Sequence, residues 1–262
     1  MALKKYNPTT PSRRAMTGYT FEELTTSKPY KPLTVSLKKA AWRNNTGRIT
    51  VRHQWGGHKQ LLRLVDFFYS DKLDIPAKVE TVEYDPNRSA YISLICYRDW
   101  ERRYILAHKD IKVWDIVVTS INAKPVNWNR MQVWNIPVWL SVHNVELIVW
   151  KWASSVRSAG SRAQILSQEG EYTQIKMPSG EIRLVHKNCY ATIWILSNID
   201  HNQIVIWKAW RSRWMWKRPT VLWKSMNPVD HPHWGWEWHS PIGMPYPKTP
   251  WGKPALWVKT RK

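Results

Sequence analysis

Cysteine is almost absent. Cys96 and Cys189 stand far apart and form no CxxC pair, which excludes a disulfide framework and a paired-cysteine zinc site and fits a reducing cytoplasm. Both read as small buried or half-buried thiols. Long apolar runs are missing too. No stretch approaches the roughly 18 residues that a membrane-spanning helix needs. The opening Met1-Ala2-Leu3-Lys4-Lys5-Tyr6-Asn7-Pro8 lacks a signal peptide's apolar stretch, so no membrane partner is expected. No nucleophile motif is present, and bare glycine pairs are too weak a signal for nucleotide binding. The expectation is a non-enzyme with no cofactor, no metal and no small-molecule substrate.

Acidic residues are the next scarcity: 19 Asp plus Glu stand against 40 Lys plus Arg, a formal net charge of +21 over 262 residues. Such an excess points to a polyanion, nucleic acid first. Its placement says more than its size. Residues 1–60 hold 12 basic and 2 acidic side chains, residues 61–206 hold 17 and 15, and residues 207–262 hold 11 and 2. A nearly neutral middle is flanked by two basic ends. There the basic residues alternate with Pro, Gly, Asn and Thr rather than following a helical stripe. Extended arms folding against RNA phosphates explain this better than a solvated face.

The middle reads as mostly β. Strand-like runs cover residues 61–67, 77–84 and 90–97, with shorter ones at 103–106 and 115–118. The turn signal Asp85-Pro86-Asn87-Arg88-Ser89 separates two of them. Five short strands without a long helix suit an OB-type barrel over 61–124. A second small barrel is expected over 125–199, and its clearest hairpin runs from Tyr172 to Val185 around Pro178-Ser179-Gly180. Basic extensions at 1–60 and 200–262 complete the expected organisation.

Phenylalanine and glycine are few, 3 and 10, beside 20 tryptophans. Many indoles fall where the chain should turn, as in His231-Pro232-His233-Trp234-Gly235-Trp236-Glu237-Trp238-His239-Ser240-Pro241. Two readings compete. The indoles are stacking platforms for bases, or the positions want glycine, which alone tolerates positive φ and close backbone approach.

From Asn227-Pro228-Val229-Asp230-His231-Pro232-His233 onward the chain is no longer generic. With Lys4-Lys5-Tyr6-Asn7-Pro8-Thr9-Thr10-Pro11, Gly47-Arg48-Ile49-Thr50-Val51-Arg52-His53, Glu83-Tyr84-Asp85-Pro86-Asn87-Arg88-Ser89, Arg157-Ser158-Ala159-Gly160, Arg218-Pro219-Thr220-Val221 and Thr249-Pro250-Trp251-Gly252-Lys253, it closely resembles the bacterial large-subunit ribosomal protein two family. The resemblance runs nearly end to end. It implies an OB barrel followed by an SH3-like barrel, with extensions that penetrate rRNA. It also implies large-subunit rRNA and neighbouring ribosomal components as partners, and support of subunit association and of the peptidyl-transferase region. That family writes glycine where this chain has Trp42, Trp55, Trp100, Trp114, Trp128, Trp139, Trp150, Trp152, Trp194, Trp207, Trp210, Trp216, Trp223, Trp234, Trp236, Trp238 and Trp257. Only Trp214 and Trp251 match family tryptophans, and Trp134 falls at a variable position. The resemblance therefore favours glycines written as tryptophan.

The candidate RNA contacts follow. Arg43, Arg48, Arg52, His53, His58 and Lys59 form a basic loop cluster around Gly56-Gly57, suited to phosphate because guanidinium groups bind it bidentately. Arg157 and Arg162 bracket Ser158-Ala159-Gly160-Ser161 and resemble the family's rRNA-binding loop, though an internal ion pair for Arg157 stays open. Arg88, Arg211, Arg213 and Arg218 are further candidates. Asp230, His231 and His233 invite an acid–base or metal reading. No recognisable zinc spacing accompanies them, so structural or RNA contacts are expected.

Overall fold

The apolar phase of one strand sets the first sheet. In Ala77-Lys78-Val79-Glu80-Thr81-Val82-Glu83 the alternation slips by one residue after Val79. A strand can bury both Val79 and Val82 only if it bulges between them. The computed structural model, which describes residues 3–234, 242, 244–256 and 258–259, has that bulge between Val79 and Thr81, and both valines are buried. Trp236, Trp238 and Trp257 lie outside the described residues.

Among the described residues fourteen strands follow in chain order: β1 (Lys4–Lys5), β2 (Thr17–Gly18), β3 (Thr34–Ser36), β4 (Leu61–Arg63), β5 (Ala77–Glu83), β6 (Ile92–Tyr97), β7 (Arg102–Leu106), β8 (Ile116–Val117), β9 (Arg130–Gln132), β10 (Ser141–His143), β11 (Ala163–Glu169), β12 (Tyr172–Lys176), β13 (Ile182–His186) and β14 (Tyr190–Ile193). The protein is mostly β, as expected. The chain divides into two compact units, Met1–Lys39 with His58–Arg211 and Ala40–Gly57 with Ser212–Lys262.

Both barrels lie in the first unit. One is built on the antiparallel sheet β7-β6-β5-β8. Val79, Ile95, Ile105 and Val117 pack with Tyr69 on one side of it. Ile92, Leu94 and Tyr104 form a second cluster, against which Tyr30, Leu33 and Val65 pack. Residues before 40 therefore cover part of this sheet. β3 pairs with β4, and the Tyr30 amide donates to the Tyr104 hydroxyl at 2.7 Å.

The other barrel is one antiparallel sheet, β13-β12-β11-β10-β14-β9. Ile136, Val142, Val145, Ile165, Ile175 and Ile193 fill its core, each burial stabilising by roughly 1.5–3 kcal/mol. These folds fit the OB and SH3-like types. Arg130 joins the two. Its Nη2 donates to Glu146 Oε1 at 2.5 Å, its Nη1 to the Asn144 carbonyl at 2.9 Å, and its guanidinium lies 4.7 Å from the Tyr69 ring centre.

The second unit has a different physical character. Gln54 bridges to Lys217, and the Arg218 amide donates to the His53 carbonyl at 2.9 Å. Among its described residues, only His231 and His233 are buried. Its sequence carries twelve Lys plus Arg and two acidic residues. With almost no apolar burial and strong self-repulsion, this unit gains most from an outside anion.

Candidate nucleic-acid interface

Arg88 is placed by the turn before it. Asp85 is fully buried; its Oδ1 accepts the Asn87 amide at 2.9 Å and its Oδ2 accepts Arg88 Nε–H at 2.7 Å. The next residue is tied to the second barrel. Ser89 Oγ accepts the Ala159 amide at 3.1 Å, and the Ser89 carbonyl accepts Asn198 Nδ2 at 2.7 Å. Gly160 lets the 157–162 loop sit this close. At its φ of +63°, a Cβ would meet the Ile199 Cα at 2.9 Å.

These constraints bring Arg88 and Arg157 onto one ring. The Arg88 guanidinium lies 5.4 Å and that of Arg157 4.5 Å from the Phe67 centroid, within cation–π range. The Phe67 carbonyl in turn accepts the Ala153 amide at 3.0 Å. Ser89, Ser154 and Ser158 border the same open recess of about 610 Å3. Arg88 has Asp85 as its counter-charge. Among the described residues no carboxylate is paired with Arg157. Burial, and then the charge of Arg88, disfavour the Arg157 cation. Two guanidinium groups held over one ring beside hydroxyls, with Arg88 alone paired to a carboxylate among the described residues, form a seat for an oxyanion. Phe67 escaped the sequence reading because it closes a strand-like run and carries no charge.

In the second unit, Arg43, Arg52, His53, Arg218 and Asp230 border an open cleft of about 950 Å3. Arg52 also lies 5.6 Å from the Trp251 ring centre. Arg48 is exposed in a turn whose amides at Thr46 and Arg48 donate to Asn44 Oδ1. The expected basic cluster is thus divided: Arg43, Arg48, Arg52 and His53 belong to this unit, while the exposed His58 and Lys59 belong to the first. Arg162 is exposed. Arg211 donates from Nη1 to the carbonyls of Thr17 at 2.7 Å and Val205 at 3.3 Å, and Arg213 donates to the Lys217 carbonyl at 2.6 Å. Those two brace the chain.

His231 and His233 are buried and pack around Trp223, with ring centres 6.2 and 5.3 Å from it. His233 Nε2 accepts the Lys248 amide at 2.6 Å, and His231 Nδ1 accepts the His233 amide at 3.0 Å. Both rings therefore act as internal acceptors that shape the loop. Burial, then His233 and Arg52, hold the His231 pKa below the ordinary histidine value, which keeps it neutral near pH 7. No group of three His, Cys, Asp or Glu able to hold a metal occurs among the described residues.

Two family models match the chain. Residues 30–119 match Ribosomal Proteins L2, RNA binding N-terminal domain, and residues 127–252 match Ribosomal Proteins L2, C-terminal domain.

Proposed function

The chain belongs to the ribosomal protein L2 family, and from that premise we propose how its residues hold RNA. Membership makes it a structural constituent of the large ribosomal subunit that binds rRNA; the family is structural rather than enzymatic. A free single-strand RNA-binding protein that stacks bases on its indoles is not favoured.

Within that role, the OB-type barrel over 61–124 and the SH3-like barrel over 125–199 grip a phosphate through Arg88 and Arg157 on Phe67. The extensions over 1–60 and 200–262 fold onto rRNA, with Arg43, Arg48, Arg52, His53 and Arg218 facing phosphates. His58, Lys59 and Arg162 add exposed contacts, while Arg211 and Arg213 hold the backbone for them. Asp230, His231 and His233 shape a loop that supports the peptidyl-transferase region without performing catalysis. The assembled protein aids subunit association, in cytoplasmic ribosomes. The meeting of Arg88 and Arg157 over one ring carries this reading. A photo-crosslinking phenylalanine analogue at position 67, in assembled large subunits, should join the protein to rRNA. Crosslinks to protein alone would overturn the proposed seat.

A further inference from the structure

Tryptophan in this chain has the backbone of glycine. Nine of the seventeen described tryptophans have positive φ: Trp42 (60°), Trp100 (67°), Trp114 (81°), Trp128 (70°), Trp139 (71°), Trp150 (62°), Trp194 (97°), Trp207 (62°) and Trp216 (64°). The same number, nine, is spread over all other non-glycine types together. Six of the eight described glycines share the conformation. An L-residue there brings Cβ against its own backbone, and bulky residues reach it as genuine outliers.

Backbone hydrogen bonds hold six of these nine residues in place. Main-chain hydrogen bonds run from the amides of Trp100 to Tyr97, Trp114 to Val79, Trp128 to Ile193, Trp139 to Ile165, Trp194 to Ser141 and Trp216 to Arg213, at 2.7–3.1 Å. The amides of Trp114 and Trp139 donate to Val79 and Ile165, the residues that open the bulges of β5 and β11. The side chains give little back. Trp100 is 82 % exposed, and Trp114, Trp139 and Trp150 are each exposed by about two thirds or more. Among the described residues Trp194 Nε1 is buried without a hydrogen-bond partner. The Trp128 ring stacks on His108, whose two ring nitrogens are both buried and have no partner among the described residues. A glycine at 128 would vacate the space through which water could reach them. Trp207 does donate to the Pro11 carbonyl, and Lys78 lies over Trp114, but surface contacts of this kind require no left-handed backbone. Trp134, Trp214 and Trp251, the three that the family resemblance does not place at glycine, are absent from the positive-φ set, as are Trp55, Trp152, Trp210, Trp223 and Trp234.

We propose that these nine residues are glycine in the protein its own cell makes, encoded by UGA and inserted by a glycine-charged tRNA that reads this codon. UGA is one base from a glycine codon and one base from the tryptophan codon UGG, so reading it as tryptophan produces this selective exchange. The gene then uses UGA as sense, and a UGA-reading release factor cannot act on it. The proposal does not depend on where the protein binds RNA.

Two measurements test it. The gene's codons should be UGA at the nine positions and UGG at Trp134, Trp214 and Trp251, and peptide mass spectrometry of the native protein should show glycine at the nine. UGG throughout, or UGA codons with indole-containing native peptides, would overturn the assignment. Separately, full-length protein with the nine positions recoded to glycine should melt at higher temperature than the all-tryptophan chain. Equal or lower melting would count against it.

Discussion

Arg157→Met separates binding from folding. Methionine keeps an apolar stem against Phe67 and removes only the charge. In the free protein that charge is partly buried, faces Arg88, and has no paired carboxylate among the described residues, so its loss should leave unfolding temperature unchanged or raise it. Binding should move the other way. A charge-assisted hydrogen bond contributes about 1.5–3 kcal/mol, so affinity for large-subunit rRNA should fall roughly tenfold to a hundredfold. Each phosphate contact adds about 0.7–0.9 to the slope of log K against log salt. Because Arg88 and Arg157 share one phosphate, the single variant should flatten that slope by up to about this amount, and adding Arg88→Met should take the total no further. Arg88→Met alone should also destabilise the fold, because it strands the buried Asp85 carboxylate. Filter binding across a salt series, beside thermal unfolding, reads both quantities. A lowered melting temperature for Arg157→Met with an unchanged salt slope would refute the reasoning.

Further outcomes follow from the same structure. Arg130→Met leaves Glu146 buried without its partner and should cost about 3–5 kcal/mol in urea unfolding; removing both charges with Arg130→Met and Glu146→Leu should recover much of it. Burial holds His108 well below the usual histidine pKa and His143 down at about 4. Stability linked to them is complete above an unfolded value of about 6.5 and is lost as pH falls through that value toward the folded ones. Melting temperatures between pH 7 and pH 4.5 should show that decline, and His108→Phe should shrink it. Trp100→Gly removes an exposed side chain from positive φ and should stabilise by about 0.5–1 kcal/mol, relief of left-handed strain less the added chain entropy of glycine; calorimetry reads this directly.

The strand positions of the first barrel were legible because its apolar runs are well punctuated. Residues 77–84 and 90–97 are rich in β-forming residues on either side of an Asp-Pro-Asn turn, and the strands fall there. β3 was not legible. Its three residues are too short for a periodic signal, and Leu24, Tyr30 and Leu33 are scattered among polar and proline residues, yet they pack against the first barrel. The basic character of the site was visible in composition. Its geometry was not, because Arg88 and Arg157 meet only through tertiary contacts of Ser89 with Ala159 and Asn198. Burial of His231 and His233 was hidden for the same reason: the indole and amide that enclose them come from Trp223 and Lys248.

Sedimentation of a native extract through a gradient, probed for this chain, reads its place in the ribosome. The protein should travel with large ribosomal subunits and leave them only as salt is raised, as its dense basic charge requires. A pool that is mostly free at physiological salt would contradict it.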